Sequence, residues 1–279
     1  EENHVNGWDD PRMPTISGMR RRGYPPQALI NFVNTAGISK RENMIDVSLL
    51  EFCVREELNK TTARVMAVVN PVKLVITNYP DGQEEKLTAI NNPEDDSQGS
   101  RSLPFSKEIY IEREDFKEEA NRKFFRLTLG KEVRLKNAYI IKGESVVKDS
   151  EGNITEIHCT YDPDSKSGSG SEASMRKVKG TIHWVSVAHA VEATVHNYDR
   201  LFSDESPDQH KEASFLDFIN PSSLHCQKAM VEPSLSSLAK GERVQFQRLG
   251  YYVVDKSSSE DQLVFNKTVG LRDTWAKKQ

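Results

Sequence analysis

Residues 153–161 read Asn153-Ile154-Thr155-Glu156-Ile157-His158-Cys159-Thr160-Tyr161. Ile157, Cys159 and Tyr161 alternate with Glu156, His158 and Thr160, the two-residue period of a strand with one buried and one solvated face. Just upstream, Glu151-Gly152-Asn153 is hairpin-turn chemistry, because glycine and asparagine tolerate the positive φ that tight turns require. Working outward, segments 65–69, 73–78, 108–112, 124–129, 133–142, 178–187, 191–198, 243–247, 251–255 and 263–269 share this enrichment in branched and aromatic side chains. Pro80-Asp81-Gly82 supplies a second hairpin signal. Many short strands at this spacing predict a mainly β chain built of small antiparallel barrels, not a doubly wound sheet.

Ahead of the strands, residues 25–60 carry helical spacing. Pro25 suits a first turn running on through Ala28, Leu29 and Phe32, and Gly37 can end it. Ser39-Lys40-Arg41-Glu42 fits a capping box opening a second helix, whose apolar stripe is Ile45, Leu49, Leu50, Cys53, Val54 and Leu58. Residues 162–173, dominated by Ser, Gly, Asp and Lys, predict a mobile hairpin tip, and residues 203–212 a surface insertion. No internal repeat is evident.

At 279 residues with 36% hydrophobic and 29% charged side chains, the chain suits several small units better than one deep core. No run of apolar residues is long enough to span a membrane. Glu1-Glu2-Asn3-His4 lacks the basic start and apolar core of a signal peptide. Cys53, Cys159 and Cys226 are widely spaced and read as reduced thiols of a cytoplasmic protein. Net charge is −4, yet Arg122, Lys123, Arg126, Lys131, Arg134 and Lys136 crowd one stretch against a single acid, Glu132. A locally basic face can bind a polyanion regardless of net charge, since fields are screened over about 8 Å at physiological salt.

Residues 7–24, Gly-Trp-Asp-Asp-Pro-Arg-Met-Pro-Thr-Ile-Ser-Gly-Met-Arg-Arg-Arg-Gly-Tyr, are the most specific wording in the chain. They resemble the segment that follows the ATP-handling loop in the glutamine branch of class I aminoacyl-tRNA synthetases. The glutamate branch shares residues 7–12, but Met13-Pro14-Thr15-Ile16-Ser17-Gly18 and Arg20-Arg21-Arg22-Gly23-Tyr24 look like the glutamine branch. Blocks at 70–76, 129–135, 179–185 and 269–275 resemble the family in family order, so the likeness covers essentially the whole chain. Because the signature falls mid-way along family members, the resemblance implies a C-terminal part without the catalytic N-terminal half. It also implies a division into a helical connector (1–60), a proximal anticodon-binding barrel (61–99 plus 185–279) and a distal one (100–184).

Several tempting features have plainer readings. Ile38-Ser39-Lys40-Arg41 resembles the family's ATP-binding Met-Ser-Lys loop, but it follows the signature instead of preceding it, and capping explains it. His183, His189 and His196 lack metal-ligand spacing, and no phosphate-loop, nucleophile-elbow or zinc motif is present, so neither a catalytic residue nor a metal site is assigned. Asp9-Asp10 could suggest acid–base chemistry or magnesium, but in a family-like turn beside Trp8 and Pro11 it reads as ordering the connection to the missing catalytic half. Arg20-Arg21-Arg22 has two readings, tRNA backbone contact and, more strongly, pairing with Glu42, Glu51, Glu56 or Glu57.

Unpaired RNA bases are recognised by stacking on aromatic or guanidinium planes and by bonds to their edges, which makes Arg122-Lys123-Phe124-Phe125-Arg126 with Arg134 the leading candidate. Carried over by resemblance, Arg134 faces the first anticodon base, Arg64, Gln245 and Arg248 surround the second, and Arg126 with Lys123 faces the third. Arg126 and Arg134 are expected on adjoining strands parted by Gly130-Lys131. Gln245 and Arg248 are expected along one strand with Phe246 facing the other way. Asn59 and Thr274 are secondary candidates. Lys123, Phe125 and Glu94 depart from the usual family residues. The resemblance further implies tRNA(Gln), glutamine, ATP and Mg as partners of the parent enzyme, a monomer, and no cofactor on the part read here. Rival readings are the same region of a glutamate-specific enzyme, a standalone β-barrel RNA-binding protein, and a hydrolase for which no motif exists.

Overall fold

The computed structural model describes residues 4–41 and 43–272. Its helices are α1 (Ile16–Arg21), α2 (Pro26–Ala36), α3 (Val47–Thr61) and α4 (Glu172–Met175). The strands begin with β1 (Ala63–Val65), β2 (Ala67–Val68), β3 (Pro71–Ile76), β4 (Glu85–Ile90), β5 (Ser100–Phe105) and β6 (Glu108–Glu112). They continue with β7 (Glu132–Leu135), β8 (Ile140–Lys148), β9 (Ile154–Tyr161), β10 (Thr181–Ile182) and β11 (Val185–Ser186). The last are β12 (Val191–Tyr198), β13 (Leu224–Val231), β14 (Arg243–Phe246), β15 (Gly250–Val254) and β16 (Leu263–Gly270). The chain is mainly β, with curled, near-closed sheets, as the alternation predicts. It divides into two compact units, one of residues up to 63, 194–227 and 238 onward, the other of residues 64–193 and 228–237.

In the first unit, β14, β15 and β16 form an antiparallel run continued by β12 and β13. Tyr24, Ala28, Val54 and Leu58 from the helical segment pack with Tyr251 and Val269 of the sheet. Each fully buried Val or Leu of such a cluster contributes on the order of 1.5–3 kcal/mol. Pro25 caps α2 and Pro26 occupies its first position, where the missing N–H costs nothing. Gly37 ends it at φ 76°. The capping box expected at Ser39 opens no helix: α3 begins at Val47, where the Asp46 carboxylate accepts the Ser48 N–H at 2.8 Å. Ser39 Oγ instead accepts the Arg41 N–H at 3.1 Å in a local turn, and Glu42 lies outside the described residues.

In the second unit the sheet order is β10-β7-β8-β9-β3-β6-β11, with β4 and β5 as a separate two-stranded ribbon. Most pairs are antiparallel; β3 with β9 and β7 with β10 are parallel. Ile157 and Cys159 are fully buried, as the alternation of β9 requires, and pack with Leu74, Phe105, Ile109 and Trp184. The Asp149–Asn153 turn joins β8 to β9 as expected. Pro80-Asp81-Gly82 does form a turn, but not a hairpin: β3 pairs with β6 and β9, whereas β4 pairs with β5. β3 is bound into the same sheet as β6 to β9, within the unit of residues 64–193 and 228–237.

Three other expectations change. Residues 124–129 form no strand, only isolated bridges from Leu127 to Phe116 and from Leu129 to Gly143. Residues 133–142 are two strands, broken by a turn in which Asn137 takes φ 62°. Residues 162–173 are tied down instead of forming a loose tip: buried Ser165 accepts the Ile140 N–H at 2.8 Å, and Ser167 donates to the Ala138 carbonyl at 2.8 Å.

Candidate nucleic-acid interface

The basic stretch of the second unit is built on a close backbone approach. A Cβ added to Gly180 would lie 2.4 Å from the Phe125 carbonyl oxygen, so only glycine fits there. The Gly180 carbonyl in turn accepts the Arg134 N–H at 2.9 Å, and β10 continues alongside β7 with Thr181 opposite Arg134. Residues far apart in sequence are thereby gathered: the 122–126 segment, Lys179 and Arg134.

Cations face aromatic rings throughout this gathering. Lys117 sits 5.3 Å and Arg126 5.7 Å from the centre of the Phe124 ring, and Lys179 sits 5.9 Å from that of Phe125. Phe125 is 53% exposed, so its ring is open to a stacking partner. Lys123 is exposed beside it. Arg126 is anchored at its base, with Nε 3.1 Å from the buried Asp115 carboxylate and Nη1 donating to the Glu114 carbonyl at 3.2 Å. Arg134 is held more firmly. Its guanidinium donates to the Ser165 carbonyl at 3.2 Å, Ser167 Oγ at 3.3 Å, and the Ser174 and Arg176 carbonyls at 2.7 and 3.3 Å. The two arginines are not on adjoining strands, since Arg126 precedes β7 in irregular chain. Lys179 is brought here by the Gly180 contact and Lys117 by its N–H bond to the Leu127 carbonyl at 3.1 Å, neither of which a local sequence pattern marks.

The remaining candidates lie elsewhere. Also in the second unit, Arg64 Nη2 is 3.2 Å from Glu94 Oε1. In the first unit, Gln245 is buried on β14 opposite Tyr251, whose hydroxyl donates to Asn59 Oδ1 at 3.3 Å. Arg248 is not on the strand but exposed in the β14–β15 turn at φ 69°. Thr274 lies outside the described residues.

The features read as structural have structural partners, though not those expected. Arg21 binds Asp255 through Nε at 2.9 Å and approaches Asp9 at 3.5 Å, while Arg22 donates to the Thr268 carbonyl and lies 5.5 Å from the Tyr198 ring centre. Of the acids expected as partners, Glu51 pairs with Arg200 at 2.7 Å, and Glu42 lies outside the described residues. Asp10 is buried, which alone would raise its pKa, but the Arg12 guanidinium and the N–H groups of Asn6 and Arg12 outweigh this and hold it at about 2. His183 is buried 3.2 Å from Glu112, which also accepts the Val69 and Asn70 N–H groups. Among the described residues no cluster of His, Cys, Asp or Glu could hold a metal ion, and no helix is long and apolar enough to cross a membrane.

Residues 62–162 match the family model described as tRNA synthetases class I (E and Q), anti-codon binding domain, and residues 181–255 match a second model of the same description. Residues 1–60 match the catalytic-domain model of that class. The chain belongs to the class I tRNA synthetases of the glutamate and glutamine group. Within that group it is 58% identical over 278 residues to the glutamine–tRNA ligase of Rhodopirellula baltica, covering 99% of this chain and 46% of the relative. It is 54% identical over 276 residues to that of Proteus mirabilis and 53% over 277 to that of Salmonella newport, covering 99% of this chain and 49% of each relative. The chain thus spans about half the length of these curated relatives.

Proposed function

We propose that this chain supplies the anticodon-reading part of a glutamine–tRNA ligase, distinguishing tRNA(Gln) by splaying its anticodon bases into separate pockets. The observation carrying this reading is the set of cation-faced phenylalanines at 124 and 125 beside Arg134, in a segment of the anti-codon binding family. Exposed rings and guanidinium planes are what an unstacked base binds. Arg134 is assigned to the first base, Arg64, Gln245 and Arg248 to the second, Arg126 with Lys123 to the third, and Asn59 and Thr274 to supporting contacts. Residues 1–60 serve as the connector, 61–99 with 185–279 as the proximal anticodon-binding portion, and 100–184 as the distal one. The whole enzyme, a cytoplasmic monomer, joins glutamine to its tRNA at the expense of ATP with Mg, neither of which this part handles.

The glutamate alternative is disfavoured because the relatives named above are glutamine ligases. The test is binding of the chain to tRNA(Gln) and to variants with one anticodon base changed. Each lost base contact should weaken binding by roughly 1–3 kcal/mol, by analogy with base-edge readout in DNA. Equal affinity for all variants would refute the proposal. The chain alone should give no glutamine-dependent ATP–pyrophosphate exchange, and exchange above a blank preparation would place chemistry here after all.

A further inference from the structure

Between β1 and β2 the strand breaks at Met66, and the peptide groups there find partners outside any strand ladder. Glu232 supplies them: its carboxylate accepts the Met66 N–H at 2.8 Å and its own N–H donates to the Met66 carbonyl at 3.1 Å. Glu232 is 1% exposed, a buried charge that demands a partner. Arg101 meets it with two arms, Nε to Oε1 at 2.5 Å and Nη2 to Oε2 at 2.9 Å, and Ser234 Oγ donates to the same carboxylate.

The fork of Arg101 does more than neutralise Glu232. Nη2 also donates to the Arg64 carbonyl at 2.9 Å, and Nη1 donates to Asn91 Oδ1 at 2.9 Å. The Asn91 carbonyl takes the Arg64 N–H at 2.7 Å, which closes a ring around both peptide groups of Arg64. A sheet residue is ordinarily placed by its ladder; Arg64, one residue from the end of a three-residue strand, is placed by this charged ring. A side chain that must present a planar fork to a base edge needs its backbone fixed to about 0.5 Å, and supporting hydrogen bonds provide this.

We propose that Arg101 and Glu232 are positioning residues for Arg64 and so determine how sharply the second anticodon base is discriminated. This rests on the assignment of Arg64 to that base. Arg101→Lys keeps a positive charge against Glu232 but loses the arms to Arg64 and Asn91. Asn91→Ala leaves the buried ion pair whole and removes one anchor of the ring.

The experiment titrates the 279-residue chain with anticodon stem-loop RNAs carrying the glutamine anticodon, a changed second base or a changed first base, after circular dichroism has checked each variant for native folding. Arg101→Lys should lose roughly tenfold in second-base discrimination while first-base discrimination stays unchanged. Asn91→Ala should show the same selectivity with a smaller loss, and it decides the matter if Arg101→Lys fails to fold. Arg64→Ala separates the two ideas. If Arg64→Ala abolishes second-base discrimination while the folded Arg101→Lys and Asn91→Ala proteins keep it, the positioning role is wrong and the Arg64 assignment stands. If Arg64→Ala itself keeps discrimination, the assignment falls and the positioning role with it. An equal loss at both bases would mark Arg101 as general scaffolding and also overturn the proposal.

Discussion

Arg134 and Arg126 stand in the same basic stretch but are bound into it differently, and lysine substitution should separate them. Arg134 spreads its guanidinium over four acceptors in residues 165–176, so lysine there would leave most of these unmet. We expect Arg134→Lys to cost about 1–2 kcal/mol of stability in urea unfolding as well as first-base discrimination. Arg126 is 45% exposed and joined chiefly to Asp115, so Arg126→Lys should cost under about 1 kcal/mol while discrimination at the third base falls. Unchanged binding selectivity among anticodon variants in a destabilised Arg134→Lys protein would make that arginine a loop anchor only. Arg248 poses a different question, because a non-glycine residue at φ 69° holds a conformation costing about 1–2 kcal/mol. Arg248→Gly should therefore leave stability within about 1 kcal/mol of the parent while second-base discrimination drops. Selectivity surviving that change would show the turn to be strained for no purpose at the anticodon.

Among the elements, α3 offers the sharpest contrast between pattern and outcome. Its cap is Asp46, so Asp46→Ala should lower stability by about 1 kcal/mol and Ser39→Ala should be silent in thermal unfolding. Both residues are credible caps by type, and the apolar stripe is equally compatible with either start. Strand identity was legible in β3, β9 and β12, where burial of one face writes the alternation into the residues. The ribbon of β4 and β5 and the strand β13 escaped notice for a physical reason. Pro104 and two serines make β5 read as loop, a composition tolerable in a two-stranded ribbon with few ladder bonds to lose. His225, Cys226 and Lys228 likewise break the apolar alternation of β13. For the candidate site, residue types were legible from the crowded cations and rings. Their company was not, since the contact between Gly180 and Phe125 joins segments that no local pattern links.

At the scale of the whole molecule, acid stability should depend in part on the buried turn around Asp10. Asp10 titrates at about 2 in the folded protein against 3.8 for an ordinary aspartate, so its contribution is complete above pH 4 and disappears as pH falls toward 2. The shift corresponds to roughly 2 kcal/mol. Asp10→Asn should flatten the acid limb of a stability–pH curve measured by urea unfolding, and an unchanged limb would mean that other carboxylates govern it. The discontinuous make-up of the first unit bears on how the protein is made. Tyr24, Ala28, Val54 and Leu58 are translated well before Tyr251 and Val269, which complete their core. At about 5–20 residues per second the interval is on the order of ten seconds, during which the apolar side of α2 and α3 has no native cover. Those helices are open to off-pathway contacts for that interval, and a chain truncated before β15 cannot complete the core of α2 and α3.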